Sequence, residues 1–240
     1  MTAIETFDLT KKYKDVTAVN KVNLKIEEGE LFALLGINGA GKSTMIKMLS
    51  CLAKPTKGDA RIFGMSILGE TTKIKELLNV SPQETAVAPN LTVRENLEFI
   101  AGIYGMQNPR ERAAHEMESM KLTEVAKRKA KTLSGGWQRR LSIAIALITE
   151  PKLLFLDEPT LGLDIIARRE LWEVVKELKS RTTVILTTHY LEEAESLSDR
   201  IGIMAHGSLA ACGTASELIQ KAGADNFENA FVTLAGGGKI

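Results

Sequence analysis

At 240 residues and 44% hydrophobic composition the chain has room for one substantial α/β domain with a full core. Lys+Arg 31 against Asp+Glu 30 leave a formal net charge of +1, which excludes a global basic field for nucleic acid. No apolar run approaches the roughly 18 residues of a membrane span. The two cysteines give neither a disulfide framework nor a zinc spacing. The first residues, Met1-Thr2-Ala3-Ile4-Glu5, do not resemble a secretory signal, so a cytoplasmic setting is expected.

Along residues 2–30 apolar positions alternate through Val16, Ala18, Val22, Leu24 and Ile26. This predicts short strands that form a small antiparallel sheet with a further strand at Asp59–Phe63. Leu31-Phe32-Ala33-Leu34-Leu35 is a continuous apolar run, as expected for a strand buried on both faces. Gly36-Ile37-Asn38-Gly39-Ala40-Gly41-Lys42-Ser43 comes next, then Thr44 and a helix with Met45, Met48, Leu49 and Leu52 on one face. The run is G-x-x-x-x-G-K-[ST] between a strand and a helix, the context that a phosphate-cradling loop requires. Gly36, Gly39 and Gly41 are expected to let the backbone curl with φ > 0 and aim N–H groups inward. Lys42 is expected to reach the β- and γ-phosphates and Ser43 to hold Mg²⁺.

Residues 84–150 are predicted to be mostly helical. Asn90 or Thr92 starts a helix that carries Val93, Asn96, Leu97 and Ile100 inward, and Gly102, Gly105 and Pro109 punctuate the chain beyond it. Ala86-Val87-Ala88-Pro89 is either an exposed apolar docking stretch or a buried loop. His115 is expected to be exposed. Lys127-Arg128-Lys129 and Arg139-Arg140 are expected on solvated faces. After Leu133-Ser134-Gly135-Gly136 a helix is predicted from Trp137 to Ile148, with Trp137, Leu141, Ala144 and Ile148 as its apolar stripe.

Leu153–Leu156 is a second buried-strand run and ends in Asp157-Glu158-Pro159. Parallel α/β sheets bind ligands at the carboxyl ends of their strands. Asp157 is therefore expected to partner Mg²⁺ and Glu158 to polarise an attacking water. Leu161-Gly162-Leu163-Asp164 precedes a helix from Ile165, for which Asp164 is a candidate N-cap. Val184–Thr188 is a third such strand and delivers His189 to the same edge. His206-Gly207 is expected as a hairpin turn. The last strand-turn-helix unit ends near Gly223. The tail, 224–240, has a short helix through Phe227 and Phe231 and a flexible Gly236-Gly237-Gly238 end.

Taken in order, these motifs resemble those of the ATP-binding cassette (ABC) ATPases, the nucleotide-binding subunits of ABC transporters. The resemblance covers essentially the whole chain. It implies a P-loop, RecA-like parallel sheet with a small antiparallel β subdomain and a helical subdomain at about 84–150, in a single domain over 1–223. It also implies roles. Tyr13 stands where the family stacks an aromatic on adenine, although a packed aromatic near the sheet is the alternative. Gln83 matches the glutamine that senses Mg²⁺ and the attacking water. Ser134, Gly135 and Gly136 match the signature that meets the γ-phosphate, and Asp164 closes the loop linking the two sites of a dimer. His189 matches the switch histidine on the γ-phosphate.

The signature departs from the familiar form in one place. Trp137 stands where glutamine follows the glycine pair, and Gln138 comes next. Trp137 is left open between core and contact, and no nucleotide contact passes to Gln138. The resemblance implies head-to-tail pairing of two identical or paralogous subunits around two ATP, and a separate transmembrane permease at the cytoplasmic side of the membrane. Thr188-His189-Tyr190-Leu191-Glu192-Glu193 and the short tail resemble the drug-resistance and polysaccharide exporter branch. The alternative is a cassette ATPase without a permease, acting on ribosomes, DNA or a cofactor-assembly scaffold. A GTPase is disfavoured: Asn20-Lys21-Val22-Asn23 ends in asparagine, not the aspartate that reads guanine.

Overall fold

The computed structural model describes residues 1–236, so Gly237 and Gly238 of the expected flexible run lie outside the described residues. The chain opens with β1 (Thr2–Tyr13), β2 (Val16–Val22), β3 (Lys25–Glu27), β4 (Leu31–Leu35), α1 (Lys42–Leu49), β5 (Lys57–Ile62), β6 (Met65–Ser66), α2 (Thr71–Leu77) and β7 (Leu78–Ser81). It continues through α3 (Val93–Ile103), α4 (Pro109–Ser119), α5 (Gly135–Leu147), β8 (Leu153–Asp157), α6 (Ile165–Leu178), β9 (Thr183–Thr188) and α7 (Leu191–Leu197). The chain closes with β10 (Arg200–Ala205), β11 (Ser208–Gly213), α8 (Ala215–Ala222) and α9 (Phe227–Leu234).

Two sheets form. The first is antiparallel, in the order β2-β1-β5-β6, with β3 also paired to β1. The second runs β11-β10-β4-β9-β8-β7 and is parallel except for β11. Its central strands are apolar without alternation because both faces are covered. Leu31, Ala33 and Leu35 of β4, with Leu154 and Leu156 of β8, join a core under the helices α3 to α9. Phe32, Leu34, Leu153 and Phe155 join a second core, shared with α1, α2 and the antiparallel sheet. The two sheets are thus glued through the residues that a one-sided strand would leave wet.

Local signals account for most boundaries. Thr92, not Asn90, starts α3: its hydroxyl accepts from Glu95 N at 3.2 Å, and the Glu95 carboxylate accepts from Thr92 N at 2.7 Å. His206 (φ 48°) and Gly207 (φ 78°) make the expected hairpin turn between β10 and β11. The helix through Phe227 and Phe231 is α9; it buries Phe227 in the larger core and lays Phe231 against it.

Other expectations change. Helix α1 stops at Leu49, because Cys51 turns left-handed at φ 58°, and Leu52 is left 66% exposed instead of extending the buried face. Helix α5 begins at Gly135, two residues before Trp137, with Ser134 at its N-cap. The 84–92 stretch is a surface loop. Ala86 and Pro89 are exposed, and Asn96 pins the loop through Ala88 N and Ala88 O at 2.8 and 3.1 Å. That sets aside the buried-loop reading.

Candidate functional site

The parallel sheet brings three strand ends to one edge. Leu35 of β4 lies beside Thr188 of β9, and Asp157 of β8 lies beside Thr187. The segments that leave these strands must meet there: the Gly36–Ser43 loop, Glu158 and His189. The resulting cavity, about 530 Å³, is lined by Asn38 to Thr44, Gln83, Glu158 and His189, with Ala18 and Leu161 at its margins.

The loop glycines do different jobs. Gly39 (φ 82°) and Gly41 (φ 102°) hold left-handed backbone, as expected. Gly36 does not adopt positive φ; there a Cβ would come within 2.6 Å of Met204 O, so close approach is what excludes a side chain. Lys42 begins α1 and is only 5% exposed. Its Nζ donates to Gly36 O at 2.7 Å and Ile37 O at 3.2 Å and stands 3.6 Å from Glu158 Oε1. Burial lowers the Lys42 pKa, and the carboxylates of Glu158 and Asp157 only partly oppose it.

Asp157 Oδ1 accepts from Ser43 Oγ at 3.3 Å and from Thr187 Oγ1 at 2.5 Å. Adjacent strand residues point to opposite faces, yet Glu158 also reaches the cavity. Its backbone resolves this by turning left-handed at φ 46°. That conformation costs a non-glycine residue about 1–2 kcal/mol. Thr187 holds it, accepting from Glu158 N through both O (3.1 Å) and Oγ1 (3.0 Å). The Glu158 carboxylate therefore sits between Lys42 and His189, with His189 Nδ1 3.3 Å from Oε2. That Nδ1 is buried and lacks an aligned hydrogen-bond partner.

Other expected residues lie elsewhere on the chain. Tyr13 ends β1 with its ring 45% exposed and Lys11 Nζ 5.0 Å from the centroid, outside the cavity and not packed into a core. Ser134 and Gly135 are exposed at the start of α5, and the Ser134 side chain makes no capping bond. Gly136 faces α6 so closely that a Cβ would lie 3.0 Å from Ala167 Cβ. Asp164 caps α6, accepting from Ala167 N at 2.9 Å. Trp137 is half-buried against the larger core, with the Arg140 guanidinium 4.8 Å from its ring centroid. Gln138 turns back to donate to Ala130 O and Leu133 O at 3.1 and 3.2 Å.

Three residues, Thr187, Arg139 and Arg140, escape a linear reading. Thr187 belongs to an apolar strand run, yet it anchors both acids. Arg139 and Arg140, expected on a solvated face, are 4% and 5% exposed. Arg140 pairs with Glu170 at 2.8 Å. The signal for Arg139 was its spacing: it stands one turn before Ser142 and Ile143 and two before Ala146, all buried.

Residues 19–161 match the family model described as ABC transporter. The chain is 43% identical over 221 residues to the linearmycin resistance ATP-binding protein LnrL of Bacillus subtilis, covering 91% of this chain and 71% of that protein. It is 42% identical over 226 residues to the daunorubicin/doxorubicin resistance ATP-binding protein DrrA of Streptomyces peucetius, covering 93% and 68%. Among solved structures it resembles a dimeric post-hydrolysis ATP-binding cassette, MJ0796, bound to ADP and Pi. The TM-score is 0.78 at 31% identity, over 88% of this chain and 98% of that one. A structure described as the ATP binding subunit of an ABC transporter gives a TM-score of 0.84 at 29% identity, over 97% and 99%. With that family model, these relatives and the converging loop, acids and histidine, the chain belongs to the ABC transporter family, as one of its ATP-hydrolysing subunits.

Proposed function

We infer that two copies of this chain, or this chain and a paralogue, close head to tail on two ATP molecules and so drive a separate membrane permease in export. The observation that carries this reading is the convergence of Lys42, Glu158 and His189 in one cavity beside the glycine loop. Loop N–H groups and the start of α1 receive the phosphates. Lys42, now spent on two carbonyls and a carboxylate, transfers its donors to the β- and γ-phosphates. Freed of Lys42, Glu158 takes the proton of the attacking water, which Gln83 orients. His189 donates to the γ-phosphate.

Mg²⁺ fits the donor set. Ser43 Oγ and Asp157 Oδ1 are hard oxygens already 3.3 Å apart. Ser43, Asp157 and Gln83 would hold it, with phosphate oxygens supplying further ligands. When bound, the cation neutralises charge on the phosphates. Tyr13 is free to stack on adenine.

The signature residues support pairing. Ser134, Gly135 and Gly136 open the 13-residue helix α5, away from this chain's own cavity, with the serine hydroxyl uncommitted. A second copy turned head to tail presents them to the γ-phosphate, and Asp164 lies beside that junction. The resistance proteins named above suggest a drug-like cargo. No helix among the described residues is long and apolar enough to cross a membrane. In this reading the permease supplies the attachment to the cytoplasmic face.

The chain should fractionate with membranes only when the permease is co-expressed, and Lys42→Ala should weaken Mg·ATP affinity about 10- to 100-fold. Retention on ribosomes with no membrane association, or unchanged ATP affinity in Lys42→Ala, contradicts the proposal.

A further inference from the structure

Arg139 gathers more backbone than any role in α5 alone requires. Its Nε donates to Pro159 O at 2.9 Å, and its Nη2 donates to Asp157 O at 2.8 Å. Its Nη1 donates to Pro82 O at 2.5 Å and to Gln83 O at 3.3 Å. One side chain thus ties the glutamine loop, the acidic strand end and the turn beyond it. Burial lowers the guanidinium pKa to about 10, against the pull of Asp157 and Glu193, so it remains a cation at neutral pH. A planar fork with five N–H donors can serve carbonyls from several segments at once; a lysine, with its donors on one nitrogen, cannot.

Arg139 lies one turn into α5, the helix whose N-cap is Ser134. A helix moves as a rigid rod over such a distance. Any displacement of Ser134 is therefore felt at Pro82, Gln83, Asp157 and Pro159. In the paired assembly, on which this inference rests, Ser134 serves one ATP site, while Gln83, Asp157 and Glu158 serve the other. We propose that Arg139 is a positioning residue that couples the two ATP sites, passing the state of the signature helix to the water- and metal-holding residues of its own chain. Arg139 itself does not line the cavity.

The test uses the full chain with Arg139→Gln and Arg139→Lys. The second keeps the buried charge and decides the matter should the first fail to fold. The expected result is a Mg·ATP Kd for the monomer within about twofold of the parent, with kcat lower by about tenfold or more. The Hill coefficient for ATP should fall from above 1 to about 1. Parental kcat and Hill coefficient in a folded variant overturn the proposal. So does a loss of ATP affinity that tracks a lowered melting temperature, because that is a purely structural role. Glu158→Gln separates the two levels. If it dimerises in Mg·ATP and the parent is cooperative while the Arg139 variants stay cooperative, only the coupling role falls. If it stays monomeric and the parent is non-cooperative, the paired reading falls as well.

Discussion

Glu193, one turn beyond His189, is a carboxylic acid with nowhere to send its charge. It is fully buried; Oε1 accepts from Trp172 Nε1 at 3.2 Å, and Oε2 has no partner. Burial raises its pKa, against the nearby hydroxyls of Thr188 and Thr160, the Trp172 hydrogen bond and the charge of Arg168. A raised carboxyl pKa means that the folded chain holds a proton the unfolded chain has released. Stability is then greatest below the ordinary glutamate value and is lost as pH rises from there to the folded pKa. Glu193→Gln should raise the melting temperature by about 2–4 °C at pH 7, and the gain should vanish below about pH 4. An equal shift at both pH values would refute the titration account. At this scale the left-handed turns at Gly39 and Gly41, the placing of Lys42 and Ser43 in the cavity and the approach of Asp157 to Ser43 were legible in sequence, because a local motif fixes them. The left-handed turn of Glu158, the double duty of Thr187 and the burial of Arg139 depend on which strand or loop lies alongside, and no spacing encodes that.

Helix α4 shows what holds a strongly charged element to the molecule. Only Ala113, Glu116 and Met117 of its residues are buried, so a buried carboxylate does part of the work. Glu116 Oε1 accepts from Arg112 Nη2 and Oε2 from Arg181 Nη2, each at 2.7 Å. Arg112 also donates to Ile148 O and Leu147 O at 2.9 and 3.2 Å, closing the C-terminal end of α5. Arg181, just before β9, anchors the same carboxylate to the parallel sheet. Breaking a buried pair by removing one partner is costly, although both arginines keep some access to water. Glu116→Ala should lower unfolding stability by about 2–3 kcal/mol in urea titration, with the midpoint shifted and the slope retained. A change within about 0.5 kcal/mol would show that the triad contributes nothing net. Among elements, β4, β8 and β9 were legible because burial on both faces writes an uninterrupted apolar run. Helix α4 and the attachment of α5 were not, because most of their ties run from arginines to carbonyls and carboxylates distant in sequence.

At the scale of the whole molecule, the chain carries both halves of an ATP site but does not bring them together. Lys42, Ser43, Asp157, Glu158 and His189 meet at the sheet edge, while Ser134 stands exposed at the start of α5, outside the cavity lining. The family likeness was legible because the motifs occur in order with their strand and helix settings. The head-to-tail pairing implied by the resemblance already anticipated a signature standing apart from its own chain's phosphate loop, and the structure leaves Ser134 outside the cavity lining. In the proposed assembly a second copy or a paralogue completes the site, and the triphosphate becomes the bridge between the two. Blocking the general base should trap that bridge. Glu158→Gln should cut hydrolysis by about 10²–10⁴-fold. The direct measurement is sedimentation of purified Glu158→Gln with and without saturating Mg·ATP. The account predicts a monomer near 26.2 kDa without nucleotide and twice that mass with it; a species that stays at the monomer mass in saturating Mg·ATP would contradict it.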